Sequence, residues 1–151
     1  MHFRWAAAMV LLLGSTASTA SAAAMRGPSG DLAAEVNTFI GTQDEGNTFP
    51  GASAPFGLIQ VSPVGAHYAG WRYDDDRIRG FGHSFLSGAG CWEQGGLVTV
   101  LPVTGSIESF GSFDYRAYAS AYTHEGEVGQ AGYYHVRLTD HGGIDAEATA
   151  L

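Results

Sequence analysis

The sequence has no lysine and only one cysteine, Cys91. Its seven basic residues are all arginine and face fifteen acids, for a formal charge of -8. A nucleic-acid surface needs clustered cations to displace counterions from phosphate, and no such cluster occurs. A single thiol excludes an internal disulfide framework, and zinc-finger spacing is also missing. No apolar run approaches the roughly 20 residues that cross a bilayer, so no membrane anchor is expected. No segment carries a convincing helical stripe, which argues against a helical bundle.

What is abundant is glycine, with 22 residues and no period of three. That excludes a collagen-like chain and points to many turns. Residues 1–24 carry Arg4, a short apolar core from Ala6 to Leu13, and small residues at Ala20, Ala22 and Ala24. This is the pattern of a signal peptide, so a secreted or periplasmic product is expected. Residues 25–34 read as a linker and residues 35–151 as one domain.

Phe56 to Val61 reads as a strand that ends at Ser62 and Pro63. Leu97 to Val103 is almost wholly apolar and reads as a strand covered on both faces. Asp114 to Ala121 reads as a half-buried strand. Tyr133 to Leu138 alternates, with Tyr134, Val136 and Leu138 inward. Ile144 to Ala150 alternates again, with Asp145, Glu147 and Thr149 outward. These two strands are expected to form a hairpin. The expected fold class is all-β, a sandwich rather than a barrel. The last strand runs to Leu151 with no closing element, so a truncated domain is expected.

Three glycine-rich stretches carry chemical potential. Gly41 to Gly51 reads GTQDEGNTFPG. Asp44, Glu45 and Asn47 could offer oxygen ligands to calcium, although EF-hand spacing is missing and a solvated turn serves equally. Gly70 to Gly80 reads GWRYDDDRIRG. Trp71 and Tyr73 beside Asp74, Asp75 and Asp76 resemble a sugar site, in which a ring stacks on an aromatic and hydroxyls meet acids. The same acids could pair locally with Arg72, Arg77 and Arg79. Gly82 to Gly96 concentrates His83, Ser87, Cys91, Trp92, Glu93 and Gln94 in one loop. No cysteine-protease signature surrounds Cys91, so it is expected to pack against ligand or core. Glu93 could act as a general acid if Trp92 desolvates it, with Asp75 as its partner carboxylate. His124, Glu125 and Glu127 lie in THEGE, where a metal site is conceivable, but HExxH spacing is missing and the stretch reads as a surface turn. His135 and His141 read as ordinary exposed residues.

Taken together, VNTFIGTQDEGNTFPGASAPFGLIQVSP, RYDDDRIRGFGHSFLSGAGC, LPVTG, AGYYHVRL and IDAEATA resemble the opening of glycoside hydrolase family 92, the calcium-dependent exo-acting alpha-mannosidases. The resemblance runs from Glu35 to Leu151. It implies a supersandwich, mutarotase-like N-terminal domain packed on a larger (α/α)6 barrel, with the active site between them. It implies inversion at the anomeric carbon by a Glu acid and a carboxylate base. Those groups and the main Ca2+ ligands belong to the C-terminal domain, so this chain is expected to supply no catalytic residue and no metal ligand. Its expected partners are that missing domain and mannose-containing glycans.

As substrate-binding residues the resemblance implies Trp71, His83, Gly90 and Cys91, with Asp74 and Asp75 shaping or touching the site. Trp92 and Glu93 complete the expected set from the residues themselves. The Gly-x-Gly-Cys element departs from the family pattern, because Trp92-Glu93-Gln94-Gly95-Gly96 follows it. That departure bears on linkage specificity and on plain versus phosphate-bearing mannosides. The 151 residues alone are expected to be inactive. The rivals are a stand-alone carbohydrate-binding module, with Trp71 and Trp92 as stacking platforms, and a structural β-domain.

Overall fold

A computed structural model describes residues 30–54, 56–57, 59–88, 98–106, 114–140 and 142–150. Among them there is no α-helix, only 3-10 turns at Leu32–Glu35 and Tyr115–Ala117. The strands are β1 (Ala52–Ser53), β2 (Gln60–Val64), β3 (Arg77–Ile78), β4 (Gly80–Gly82), β5 (Ser120–Ala121), β6 (Val128–Gln130), β7 (Tyr133–Leu138) and β8 (Ile144–Thr149). They pair antiparallel in three small sheets, ordered β1-β2-β4, β3-β5 and β6-β7-β8. β1 and β2 lie against β7 and β8, so two sheets face each other as in a sandwich.

The β7–β8 hairpin follows the alternation of its sequence. Tyr133 opposes Thr149 and Leu138 opposes Ile144. Tyr134, Val136 and Leu138 are buried, while Asp145, Glu147 and Thr149 are exposed. These three buried residues meet Phe49, Ala52, Trp71, Ile78, Tyr122 and Ala146 in one core. Burying each large apolar side chain contributes about 1.5–3 kcal/mol. The core therefore sits between the hairpin and the segments that carry the glycine-rich loops.

Three expected strands change. The strand predicted from Phe56 to Val61 lies instead at Gln60–Val64, running through Ser62 and Pro63. Phe56 is exposed and Gly57 takes φ +65°. Val64 O accepts Arg79 N at 2.8 Å, so Val64 and Ser62 turn their polar groups to β4. The missing N–H of Pro63 then faces the side where β1 has already ended opposite Val61.

Among the described residues of the predicted strand at Leu97 to Val103, only Val100 pairs, with Phe81. The next residue facing that partner is Pro102, which has no N–H to continue the ladder. Val98 and Val100 are exposed, so this segment is not covered on both faces; Leu97 lies outside the described residues. Asp114 to Ala121 begins as a 3-10 turn, because the Asp114 side chain accepts Arg116 N at 3.0 Å and its carbonyl accepts Ala117 N. That local bonding wins over strand pairing until Ser120.

Candidate functional site

The stretch from Asn37 to Gly51 folds into a self-bonded loop. The Thr42 hydroxyl donates to Phe39 O and the Thr48 hydroxyl to Ile40 O, each at 2.8 Å. Thr48 N closes on Gly41 O at 3.2 Å. Asp44 and Asn47 hold left-handed φ angles of 50° and 51°, a region that Asn and Asp tolerate better than most residues. Glycine is required at 46, since a Cβ there would stand 2.1 Å from Gly41 O.

This loop is stitched to two others. Gly88 N donates to Asn47 O at 2.7 Å, and the rings of Phe49 and Phe85 pack at 4.5 Å. Gln60 bridges the same two segments, donating to Phe49 O and accepting from Ser87. On the other side Tyr73 N donates to Thr42 O at 2.9 Å, and the Tyr68 hydroxyl donates to Glu45 at 2.6 Å. That bond to Glu45, aided by burial, pushes the Tyr68 phenol above its ordinary range. Thus GTQDEGNTFPG, the turn at 65–76 and the segment at 83–88 converge in space.

Within this frame the expected site residues separate. Trp71 is only 1% exposed and belongs to the core. It offers no face for a sugar to stack on, and its ring stands perpendicular to that of Tyr73 at 6.4 Å. Asp74 is exposed and pairs with Arg72 at 3.6 Å. The Asp75 carboxylate turns inward and accepts Arg72 N at 3.1 Å and His67 N at 3.4 Å, closing the turn. Burial raises its proton affinity above the carboxylate norm, and those backbone donors partly offset the effect.

Local pairing of the acids with Arg77 is not what forms. Arg77 instead reaches Asp140 and Ala119 O, anchoring β3 to the far sheet. His83 is exposed at the end of β4, in a hollow of about 300 Å³ lined also by Val61, Phe81, Val100, Pro102 and Glu147. Gly90, Cys91, Trp92 and Glu93 lie outside the described residues, as does His141. Among the described residues, no three His, Cys, Asp or Glu side chains converge to hold a metal ion. Within the Asp44–Asn47 turn, Glu45 accepts from the Tyr68 hydroxyl and the Asn47 amide nitrogen donates to Glu45 O.

THEGE is not simply a surface turn. Glu125 is exposed, but the Glu127 side chain is only 2% exposed. It accepts from the Tyr134 hydroxyl at 2.5 Å and bonds His124 Nδ1. His124 Nε2 meets Tyr73 O at 2.8 Å, and its ring lies flat on the Tyr73 ring at 3.7 Å. Burial, reinforced by the nearby Glu127, raises the Tyr122 and Tyr134 phenols well above their usual value. His124, Glu127 and Tyr73 line a cleft of about 610 Å³ whose other wall is Asn37 to Asp44. The sequence signal was slight: a His and a Glu three residues apart, just before a strand.

The comparisons with known proteins agree with this architecture. The family model described as "Glycosyl hydrolase family 92 N-terminal domain" matches residues 35–151. The GH92 alpha-mannosidase BT3965 from Bacteroides thetaiotaomicron is 35% identical, with a TM-score of 0.68 over 80% of this chain and 17% of its own. The GH92 family glycosyl hydrolase ccman5 is 32% identical, with a TM-score of 0.71 over 80% of this chain and 18% of its own. An uncharacterized secreted glycosidase of Arthroderma benhamiae is 29% identical over 125 residues, covering 80% of this chain and 16% of that protein. The chain thus spans about one sixth of the length of the relatives it matches. No helix among the described residues is long and apolar enough to cross a membrane. With a matched family model over residues 35–151 and an antiparallel all-β fold shared with two GH92 structures, the chain belongs to the glycosyl hydrolase family 92 N-terminal domain family.

Proposed function

We propose that this chain is the sugar-contacting N-terminal domain of a secreted, calcium-dependent exo-alpha-mannosidase. The observation that carries the reading is the junction of three loops, in which Asn47 O holds Gly88 N, two residues before Gly90 in the sequence. The 35% identity to an alpha-mannosidase over 80% of this chain supports the substrate class. In this reading Gly90, Cys91, Trp92 and Glu93 meet the sugar, together with His83 on its exposed rim. Asp75 acts on the pocket's shape, since its carboxylate is spent on backbone donors. Trp71 supports the turn from the core.

The chemistry proposed for the whole enzyme is hydrolysis with inversion. A carboxylic acid protonates the leaving oxygen while a carboxylate activates water on the opposite face. Both groups, and the ligands of the calcium ion, lie outside this chain in the proposed enzyme. The 151 residues alone release no mannose, and the leader at 1–24 directs export. The carbohydrate-binding-module rival loses one of its two platforms to the core, because Trp71 is not accessible.

The test uses the full native polypeptide on terminal alpha-mannosides. Mannose release, with the β-anomer formed first by NMR, is expected. A chelator should lower the rate and added calcium should restore it. His83→Ala should reduce kcat/KM by about tenfold or more, the scale of one lost polar contact to a bound group. Absence of mannose release from any alpha-linked substrate would refute the activity, and a first-formed α-anomer would refute inversion.

A further inference from the structure

We propose that His124, Glu127 and Tyr134 form a proton-operated latch that fixes one wall of the cleft through Tyr73. Both ring nitrogens of His124 face oxygen. Nε2 lies 2.8 Å from Tyr73 O, and a carbonyl only accepts, so Nε2 carries a hydrogen. Nδ1 faces Glu127 Oε2. The other Glu127 oxygen already accepts the Tyr134 hydroxyl. The Nδ1–Oε2 contact therefore needs one proton between the two groups. Imidazolium with carboxylate and imidazole with carboxylic acid satisfy it equally, and the proton count is the same.

Removing that proton sets a nitrogen lone pair against a carboxylate that is only 2% exposed. Burial on the Glu127 side weakens the screening of that repulsion. The ring can escape by withdrawing, which breaks the Tyr73 O bond and the flat Tyr73–His124 stack. Tyr73 N is bonded to Thr42 O, at the base of the opposite cleft wall. Loss of one proton is thereby transmitted across the cleft.

Other titratable and charged groups surround the pair. Tyr122 presents its ring edge to His124 at 5.4 Å, and Asp44 stands on the facing wall of the cleft. Glu125 is exposed in the same turn, and Asp75 acts electrostatically on Tyr122. Among the described residues, no arginine lines the cleft. With both nitrogens committed, His124 is not a free general base, so its role is positional.

Glu127→Gln tests the latch. The glutamine amide can donate to a neutral His124 Nδ1 while its oxygen still accepts from Tyr134, so every contact survives without the extra proton. Hydrogen exchange by mass spectrometry would follow peptides spanning Tyr73 in the full native polypeptide, corrected for intrinsic base catalysis. In the wild type the corrected rate should rise about tenfold across a pH series, as the proton shared by His124 and Glu127 is lost. In Glu127→Gln it should stay flat. His124→Phe keeps the stack without any titrating nitrogen, and should give a flat but faster rate. A flat wild-type rate, or the same pH-dependent rise in either variant, would overturn the proposal.

Discussion

Asp75 lies in the DDD run that resembles a sugar site, yet its contacts are structural, and replacing it separates the two roles. Its carboxylate accepts Arg72 N at 3.1 Å and, over a longer 3.4 Å, His67 N. A hydrogen bond to a charged acceptor contributes about 1.5–3 kcal/mol, and the longer one falls below that range. Asp75→Ala should therefore cost about 2–3 kcal/mol. The Gly65 backbone packs against this carboxylate so closely that a Cβ there would lie 2.1 Å from Oδ2, so truncation also leaves a void. Asp75→Asn keeps an acceptor and removes the buried charge.

Burial raises the folded Asp75 proton affinity above its unfolded value of 3.8. Its contribution to stability is then fully present below that unfolded value and is lost as pH rises through the raised folded one. Asp75→Asn should accordingly gain on the wild type as pH goes from about 4 to 7. Urea unfolding at several pH values measures both effects. With a slope of about 1–3 kcal/mol per molar, Asp75→Ala should lower the midpoint by on the order of 1 M. An alanine variant within about 0.5 kcal/mol of wild type would refute the closing role. An asparagine variant whose deficit grows with pH would refute the sign.

Other outcomes follow from close approaches and burial. Gly51→Ala should destabilise by more than about 3 kcal/mol, because its Cβ would stand 2.1 Å from Val61 O and 2.3 Å from Ser62 Cα, both backbone atoms in β2. Thermal unfolding reads it, and a near-neutral variant would refute the β1–β2 spacing. Trp71→Ala should cost about 3–5 kcal/mol of stability, as core aromatics do; lost sugar affinity with unchanged stability would restore Trp71 as a platform. Tyr134→Phe should cost about 1–3 kcal/mol, since the Glu127 carboxylate loses a buried donor. Chemical denaturation checks it, and a stabilised variant would argue against that bond.

The sequence by itself determined the class of fold and the sheet that carries the core. Strict alternation in Tyr133–Leu138 and Ile144–Thr149 specified both the hairpin and its faces, because a one-residue slip would expose Tyr134, Val136 and Leu138 together. It also marked the loops that meet, since glycines and polar residues cluster where the backbone must turn sharply.

Only the tertiary structure decided what each site residue does. Trp71, Asp74 and Asp75 are near neighbours in sequence, yet one is in the core, one in solvent and one turned into the backbone. No local pattern separates those fates, because each depends on segments far along the chain. Pro63 reads as the end of one strand and Pro102 as part of another, and the structure reverses both. One faces a side with no partner, while the other stops a ladder after Val100. Glu127 reads as part of a surface turn for the same reason. Its burial depends on Tyr134 from β7 and on His124, which is held by Tyr73 from 51 residues upstream. Such a cluster exists only once those segments pack, and burial gives its proton count consequences it would not have in water.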